Sequence, residues 1–526
     1  MKVSTATEHA HIVIIGAGIS GVGAACYITE AFPGKKVIIL EARGSVGGTW
    51  DLFRYPGIRS DSDLHTFAYE FKPWLHETAI SEGHMIQDYM RETVEERGIG
   101  SLIRFRHEAT SADWSSADAE WTLSVRKTLE DGSTEDIRIK AGWVFSATGY
   151  YRYDQGYAPT FAGSDDFEGD IIHPQHWPEN YDHSDKKVVV IGSGATAITL
   201  IPAMATGPQA AAHVTMLQRT PSYILTLPRV DTLNLRLTRM FGEKRGYALT
   251  RFKNVWIDWA VVNFLSHFPK QGRKLVRYLT SKELPAGYDV DTHFNPPYEP
   301  WDQRLCLAPD GDFFKTIRDG DASVVTDRIE RFTKNGILLE SGRELDADVI
   351  VTATGLNMRF IGGIKQTVDG KPVDPSKTVT YRSSLLSGVP NWAFAMGYTK
   401  SSWTLKIGLL MKYYCSLLEY MDERGYDSVV PVADGSMTTQ SMFDLSAGYM
   451  QRGEDQFPRQ GTEAPWQLKT IYRNDQKLYK GPLIDGNLRF GTSGGHEVTP
   501  QPEQSAGPRQ NPVELLAAVT GKVISR

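Results

Sequence analysis

The chain has 526 residues, roughly three and a half domains of average length, with 41% hydrophobic, 23% charged and 11% aromatic residues. Its 57 Lys and Arg against 63 Asp and Glu give a net charge of −6. The composition argues against a collagen-like or mainly disordered chain and a bundle of membrane spans, and the near-balanced charge disfavours a dedicated nucleic-acid binder while leaving room for a local basic patch.

Three cysteines, Cys26, Cys306 and Cys415, are too few and too scattered for a disulfide framework or a CxxC metal site, and they fit a reducing compartment. No basic leader with a cleavage site precedes the first apolar run, and the longest apolar stretch, 255–268, is too short to span a bilayer. A cytoplasmic enzyme without a metal centre is expected. The oligomeric state is left open.

The first predicted unit is a strand at 12–15, the turn Gly16-x-Gly18-x-x-Gly21, a helix, and a second strand that ends in Glu41. Each glycine has a mechanical task. Gly16 permits the tight turn, Gly18 lets backbone N–H groups approach a pyrophosphate, and Gly21 lets helix and strand pack closely. The helix start then offers free N–H groups to phosphate. Glu41, 20 residues past Gly21, is placed to accept hydrogen bonds from ribose hydroxyls. Residues 104–144 alternate apolar and polar around an Asp131-Gly132 turn and predict a small antiparallel sheet.

A second such unit starts at 187, with Gly192-Ser193-Gly194-Ala195-Thr196-Ala197, a helix to about 205 and a strand at 213–218. Here no acid closes the second strand. Gln218-Arg219-Thr220 stands there instead, and an arginine pairs with a ribose 2′-phosphate where an acid would repel it. The first site is therefore expected to hold FAD, and the second NADPH, with Gly192, Gly194, Ala195, Thr196, Arg219 and Thr220 as its contacts. Two such sites imply a flavin–nicotinamide oxidoreductase. Two further strands each end in Ala-Thr-Gly, at Ala147 and Ala353, small residues that let the chain cross close to a cofactor.

Residues 229–283 hold 12 Lys and Arg against 4 Asp and Glu, so +8 in a chain whose remainder carries −14. The run 251–278 predicts a helix in which apolar and basic residues are interleaved. Its basic residues either lie on the outside of packed helices or make a peripheral membrane contact through Arg245, Arg251, Lys253, Lys270, Arg273, Lys274 and Arg277, with Trp256, Trp259 and Phe264 nearby. The segment 491–512, rich in Gly, Pro, Ser and Gln, predicts a flexible tail, and 513–524 one terminal helix.

Two longer patterns carry a family resemblance. Phe167-x-Gly169-x-x-x-His173-x-x-x-Trp177-Pro178 resembles the fingerprint of type I Baeyer–Villiger monooxygenases, in the flavin-containing monooxygenase superfamily, whose other members usually have Tyr or Phe where this chain has Trp177. Gly47-Gly48-Thr49-Trp50-x-x-x-x-Tyr55-Pro56-Gly57-x-x-x-Asp61 resembles the same family's second motif. Residues 391–406 and 300–306 look closest to the branch of ethionamide-activating and long-chain ketone monooxygenases.

The resemblance implies an α/β fold of two Rossmann-like domains, for FAD and NADPH, with a helical insertion. The expected division is 1–150 and 386–490 for FAD, 151–228 and 301–385 for NADPH, 229–300 for the insertion and 491–526 for the tail. It also implies that NADPH reduces FAD and that the reduced flavin and O2 give a C4a-peroxyflavin, which converts an apolar ketone to an ester or lactone, or oxygenates a sulfide. Arg304 corresponds to the family's active-site arginine, whose fixed charge stabilises developing negative charge. Asp61 corresponds to the carboxylate that orients it, Gly48, Thr49 and Trp50 to flavin contacts, and Phe167, Gly169, His173 and Trp177 to the hinge motif. Gln303 departs from the Lys or Arg that many members carry before this arginine, and leaves Arg318 as an alternative. A monooxygenase acting mainly on sulfur or nitrogen is the other enzymatic reading. A disulfide reductase would need a close cysteine pair, and a non-catalytic flavin binder would not need both Asp61 and Arg304.

Overall fold

The computed structural model describes residues 7–303, 305–443, 447–493 and 495–502. The chain opens as the glycine pattern predicts: β1 (Glu8–Ile15), α1 (Ile19–Ala31) and β2 (Val37–Glu41). β1 and β2 pair in parallel with Ile14 opposite Ile39, and all five residues of β2 are buried, as befits a strand covered on both faces. β3 (Ile103–Phe105) joins the parallel edge beside β2. β4 (His107–Ser115), β5 (Glu120–Thr128) and β6 (Thr134–Ser146) form the expected antiparallel meander. It is not a separate small sheet. β6 is long enough to pair with β5 over its first part and to run parallel to β1 over its second, Val13 opposite Val144, so the meander and the parallel strands share one sheet.

The second lobe is built on a parallel five-stranded sheet. β7 (Asp170–Ile172) lies at one edge; β8 (Lys187–Ile191), α2 (Ala195–Ala205) and β9 (His213–Gln218) repeat the opening unit. After β9 the chain leaves to build the insert: α3 (Thr232–Phe241), α4 (Glu243–His267) and α5 (Pro269–Glu283). The single helix expected over 251–278 is two. Pro269 lacks the N–H that would continue α4 and its fixed φ suits the first turn of a new helix, so the chain bends at Phe268. β10 (Ala322–Thr326) and β11 (Val349–Thr352) complete the sheet on either side of β9 and β8.

The return to the first lobe comes earlier than the boundary at 385 placed it. β12 (Lys365–Val368) already pairs with β4, and β13 (Trp392–Phe394) with the end of β6. The patterns of both lobes end at this point, and 365–368 is too short to have a periodicity of its own. α6 (Trp403–Arg424) then covers the sheet: Trp143 and Phe145 of β6 meet Tyr414 with ring centroids 5.2 and 5.5 Å apart. α7 (Tyr472–Tyr479) packs on α6 through a fully buried ion pair, Lys406 with Asp475. β14 (Leu488–Gly491) and β15 (Glu497–Val498) pair antiparallel, so the expected flexible tail begins as an ordered hairpin. The terminal helix expected at 513–524 lies outside the described residues.

Candidate functional site

A cavity of about 1080 Å³ runs from the first glycine turn, past the start of α2, to the insert. At its first end Gly16 has φ +104°, and a Cβ there would lie 2.6 Å from the Ala147 carbonyl oxygen; Gly192 has φ +135°, with the Ala353 oxygen 2.3 Å away. Both Ala-Thr-Gly segments thus cross directly under a fingerprint turn, which only glycine permits. Gly21 also has no room for a side chain, with the Gly16 oxygen 1.9 Å from its would-be Cβ. Gly194 faces open space. Neither α1 nor α2 carries a side-chain cap, so their first N–H groups are available to a phosphate.

Glu41 is buried at the cavity wall, where Ala17 N–H donates to its Oε2 (2.7 Å) and Arg43 N–H to its Oε1 (2.8 Å). Burial pushes its carboxyl above the ordinary value, opposed by those two backbone bonds. The anchored carboxylate keeps lone pairs for ribose hydroxyls. Beside it the structure adds a group that the sequence reading passed over at an unspecified position of the second motif. Asp51 receives Arg43 Nε (2.7 Å), Ser45 Oγ (2.5 Å) and Gln87 Nε2 (3.0 Å). Burial pushes the Asp51 carboxyl up, but the bonds from Ser45 and Arg43 outweigh it and hold the group below its usual range. Its signal was the neighbouring pair Glu41 and Arg43, which brings a second carboxylate and a cation to one strand end.

Gly48 packs on Gly18, its would-be Cβ 3.1 Å from the Gly18 Cα, and Thr49, Trp50 and Asp61 line the cavity. Trp50 also sits edge-on to Phe67 at 6.0 Å. The rest of the second motif joins the lobes. Thr199 Oγ1 of α2 donates to Tyr55 Oη (3.3 Å), and a Cβ on Gly57 would lie 2.3 Å from the Thr199 carbonyl oxygen. Arg59 pairs with Asp312 of the second lobe and also lines the cavity.

Of the second fingerprint, Ala195 and Thr196 reach the cavity. Gly192 and Gly194 stand at the turn, and Arg219 is exposed at the end of β9 next to Thr220, whose carbonyl accepts from Ser193 Oγ (2.9 Å). The hinge motif lies apart from the cavity. His173 Nδ1 accepts from Gln175 N–H (3.2 Å), and the imidazole packs against Gly156, where a Cβ would be 2.1 Å from its Cε1. Burial lowers its pKa and so favours the neutral imidazole. Gln175 Nε2 donates to the carbonyls of Arg152 and Tyr153, both at 2.9 Å, and Asn357 Nδ2 to that of Gly156 (3.0 Å). The motif therefore braces the two chain crossings between lobes against each other. Phe167 is buried against Phe332, Gly169 leaves 2.3 Å between its would-be Cβ and the Asp348 oxygen, and Trp177 is half-buried, edge-on to Tyr181.

Arg304 lies outside the described residues; Trp301 and Leu305, on either side of it, line the cavity. Arg318 does not. It is tied to Glu283 at the end of α5 by a 3.1 Å ion pair. Cys26 and Cys415 are held as thiols, burial raising both to about 12, which removes the thiolate a disulfide reductase needs. Among the described residues no cluster of His, Cys, Asp or Glu could hold a metal ion, and no helix is long and apolar enough to cross a membrane.

At the far end the walls are Leu227, Leu233, Ile257, Val261 and the segment 398–403, with Asp258 among them. Ser401 Oγ donates to Asp258 Oδ2 (2.7 Å), yet burial, with Asp63 adding to it, pushes the Asp258 carboxyl up to about 6. A raised folded-state pKa favours the protonated form on folding. Its stabilisation is full below the ordinary value near 4 and is lost as pH rises through about 6. Asp258→Asn is expected to raise the thermal midpoint near pH 8, by no more than about 3 kcal/mol of stability. The gain should fade towards about pH 4. Differential scanning calorimetry across this range checks it, and a gain independent of pH would refute the assignment.

The sequence matches the family model for flavin-binding monooxygenase-like proteins over residues 65–367, and that for NAD(P)-binding Rossmann-like domains over 14–77. It is 49% identical over 486 residues to the FAD-containing monooxygenase EthA of Mycobacterium tuberculosis, covering 92% of this chain and 98% of that protein. It is 45% identical over 486 residues to the probable FAD-binding monooxygenase AlmA of Acinetobacter baylyi, covering 92% and 96%. Among solved structures the fold resembles a steroid monooxygenase bound to NADP (TM-score 0.66, 23% identity, 81% of this chain and 88% of that one). It also resembles the open form of cyclohexanone monooxygenase (TM-score 0.66, 20% identity, 81% and 90%).

Proposed function

This chain belongs to the flavin-binding monooxygenase-like family as an FAD-containing monooxygenase, and on that premise we propose that it uses NADPH and O2 to carry out Baeyer–Villiger oxidation of apolar ketones to esters or lactones, with sulfides as further substrates. The observation that carries this reading is the continuity of the cavity: one space joins the first glycine turn, the first turn of α2 and the apolar walls of the insert. A nicotinamide and an apolar substrate can therefore both approach a flavin held in the first lobe.

When bound, FAD accepts a hydride from NADPH and activates O2. The chain's own residues do the rest. The N–H groups at the start of α1 take the pyrophosphate, and Glu41 takes the ribose of the adenosine half. Gly192, Gly194 and Thr196 do the same for NADPH at α2. The Arg304 guanidinium stabilises the negative charge that develops on the substrate oxygen, and Asp61, on the cavity wall, orients it. Leu227 and its apolar neighbours exclude water from the reacting carbonyl.

The test is product analysis by mass spectrometry on a panel of ketones and sulfides with NADPH and air. Esters or lactones support the proposal; sulfoxides without any ester overturn it in favour of heteroatom oxygenation. The nicotinamide assignment has its own check. Arg219→Ala removes a charge-assisted contact worth about 1.5–3 kcal/mol, so the KM for NADPH should rise roughly tenfold to a hundredfold. Steady-state kinetics with NADH should show little change, and equal effects on both nucleotides would exclude the 2′-phosphate role.

A further inference from the structure

The described surface has 17 exposed large hydrophobic residues, and 12 of them lie on α3, α4 and α5 or the turn between the last two. On α4, Ile257, Val261 and Phe264 share one face with Phe268, just past its end, and Phe252 and Trp256 carry the exposed apolar surface further round the helix. Met240, at the end of α3, is 72% exposed. Three members of this face, Leu233 (45% exposed), Ile257 (53%) and Val261 (42%), also line the cavity, so the apolar face forms part of its rim.

The charges around this face differ from the sequence expectation. Arg251 is not a surface cation: its Nη1 donates to the carbonyls of His65, Thr66 and Ala68 at 2.9, 3.1 and 2.9 Å. Lys253 pairs with Asp231 (2.6 Å) and Arg277 with Asp291 (2.6 Å), while Arg273 bonds Asn295 (2.9 Å). What remains exposed without a carboxylate partner, among the insert's described residues, is Arg236, Arg239, Lys244, Arg245, Lys270, Lys274 and Lys282, the last lying over the Tyr278 ring. Of the insert's four carboxylates, Asp231 and Glu283 are paired and Asp258 is turned to Ser401, which leaves Glu243. The insert thus exposes aromatic and aliphatic side chains together with unpaired cations, on a protein that is negative elsewhere.

We propose that α3–α5 dock this face on an anionic lipid bilayer, seating the cavity rim in the acyl boundary so that apolar substrates enter from the lipid rather than from water. The entry step rests on the ketone-oxidising function proposed above; the docking does not. Charge decides between occupants. A second copy placed face to face would set the same cations against each other, because a two-fold interface presents one patch to itself. An anionic bilayer complements them, and takes up the apolar face to the depth of one helix.

Flotation of the FAD-loaded protein with vesicles of equimolar phosphatidylglycerol and phosphatidylcholine tests the docking. The protein should float at low salt and float far less with phosphatidylcholine alone. Phe252→Ser with Phe264→Ser, and separately Lys270→Glu with Lys274→Glu, should each lower recovery with the vesicles by roughly tenfold. None of these four residues lines the cavity, so both variants should keep their flavin and oxidise NADPH with a small water-soluble ketone as before. Turnover of a long-chain ketone dissolved in the vesicles should fall in step with flotation. Wild-type protein that stays in the soluble fraction with anionic vesicles overturns the proposal. So does a lipid-free dimer abolished by the phenylalanine changes, which would assign the face to a second copy. If no ketone is oxidised, the functional reading fails while flotation still decides the docking.

Discussion

Asp475→Ala is expected to be the most destabilising single change in the first lobe, by about 3–5 kcal/mol. Asp475 is 0% exposed and Lys406 2%. The carboxylate Oδ2 accepts from Lys406 Nζ and from Tyr398 Oη (2.7 Å), and the ammonium also lies over the rings of Tyr398 and Tyr479 at 5.3 and 5.0 Å. Burial drives the Lys406 pKa down and the carboxylate drives it back up. Removing the carboxylate leaves a desolvated cation whose neighbours are phenols, and frees Tyr398, which lines the cavity. The pair itself is a different matter. Replacing both members by Lys406→Met and Asp475→Leu restores an apolar contact and should recover most of the lost stability. Thermal unfolding of the two single variants and the double variant forms the cycle. A double variant as unstable as Asp475→Ala would show that the loss comes from packing and not from the stranded charge.

Arg304→Ala should separate the two halves of the reaction. The proposed nicotinamide contacts at α2 are untouched, so NADPH consumption should persist while ester formation falls by about 10²–10³, the usual cost of removing one group that stabilises developing charge. The reducing equivalents should then appear as hydrogen peroxide, which a peroxidase-coupled assay counts against NADPH consumed. Undiminished ester formation would reassign the role, and Arg59, buried on the cavity wall with Asp312, would be the next arginine to test.

Local signals foretold the fold well wherever one backbone requirement selects one residue. Gly16 and Gly192 could be read because a carbonyl lies where a side chain would stand, and β2 and β8 beside them because burial on both faces demands an apolar run. The break at Pro269 was present in the letters but was masked by the apolar and basic pattern that continues across it. The early return at β12 could not be read, since four residues with one buried side chain carry no period. In the site, the Glu41 carboxylate was legible from its distance to the turn, whereas Asp51 depended on Arg43 and Ser45 from one segment and Gln87 from another. The basic residues of the insert show the same limit: composition counts charges, but only packing reveals that Arg251 directs its charge at three carbonyls.

The pairing of β13 with β6 has a consequence for how the protein is made. β6 ends at Ser146 and β13 begins at Trp392, so the ribosome must add about 250 residues, the whole second lobe included, before the first lobe can close. At about 5–20 residues per second that interval lasts on the order of tens of seconds. Throughout it, the strand edge at 144–146 lacks its neighbour, and Trp143 and Phe145 lack the cover of Tyr414. The nascent first lobe is therefore a waiting half-sheet with an open apolar face, and its yield in the cell should depend on chaperone capacity and on the pace of translation through the second lobe.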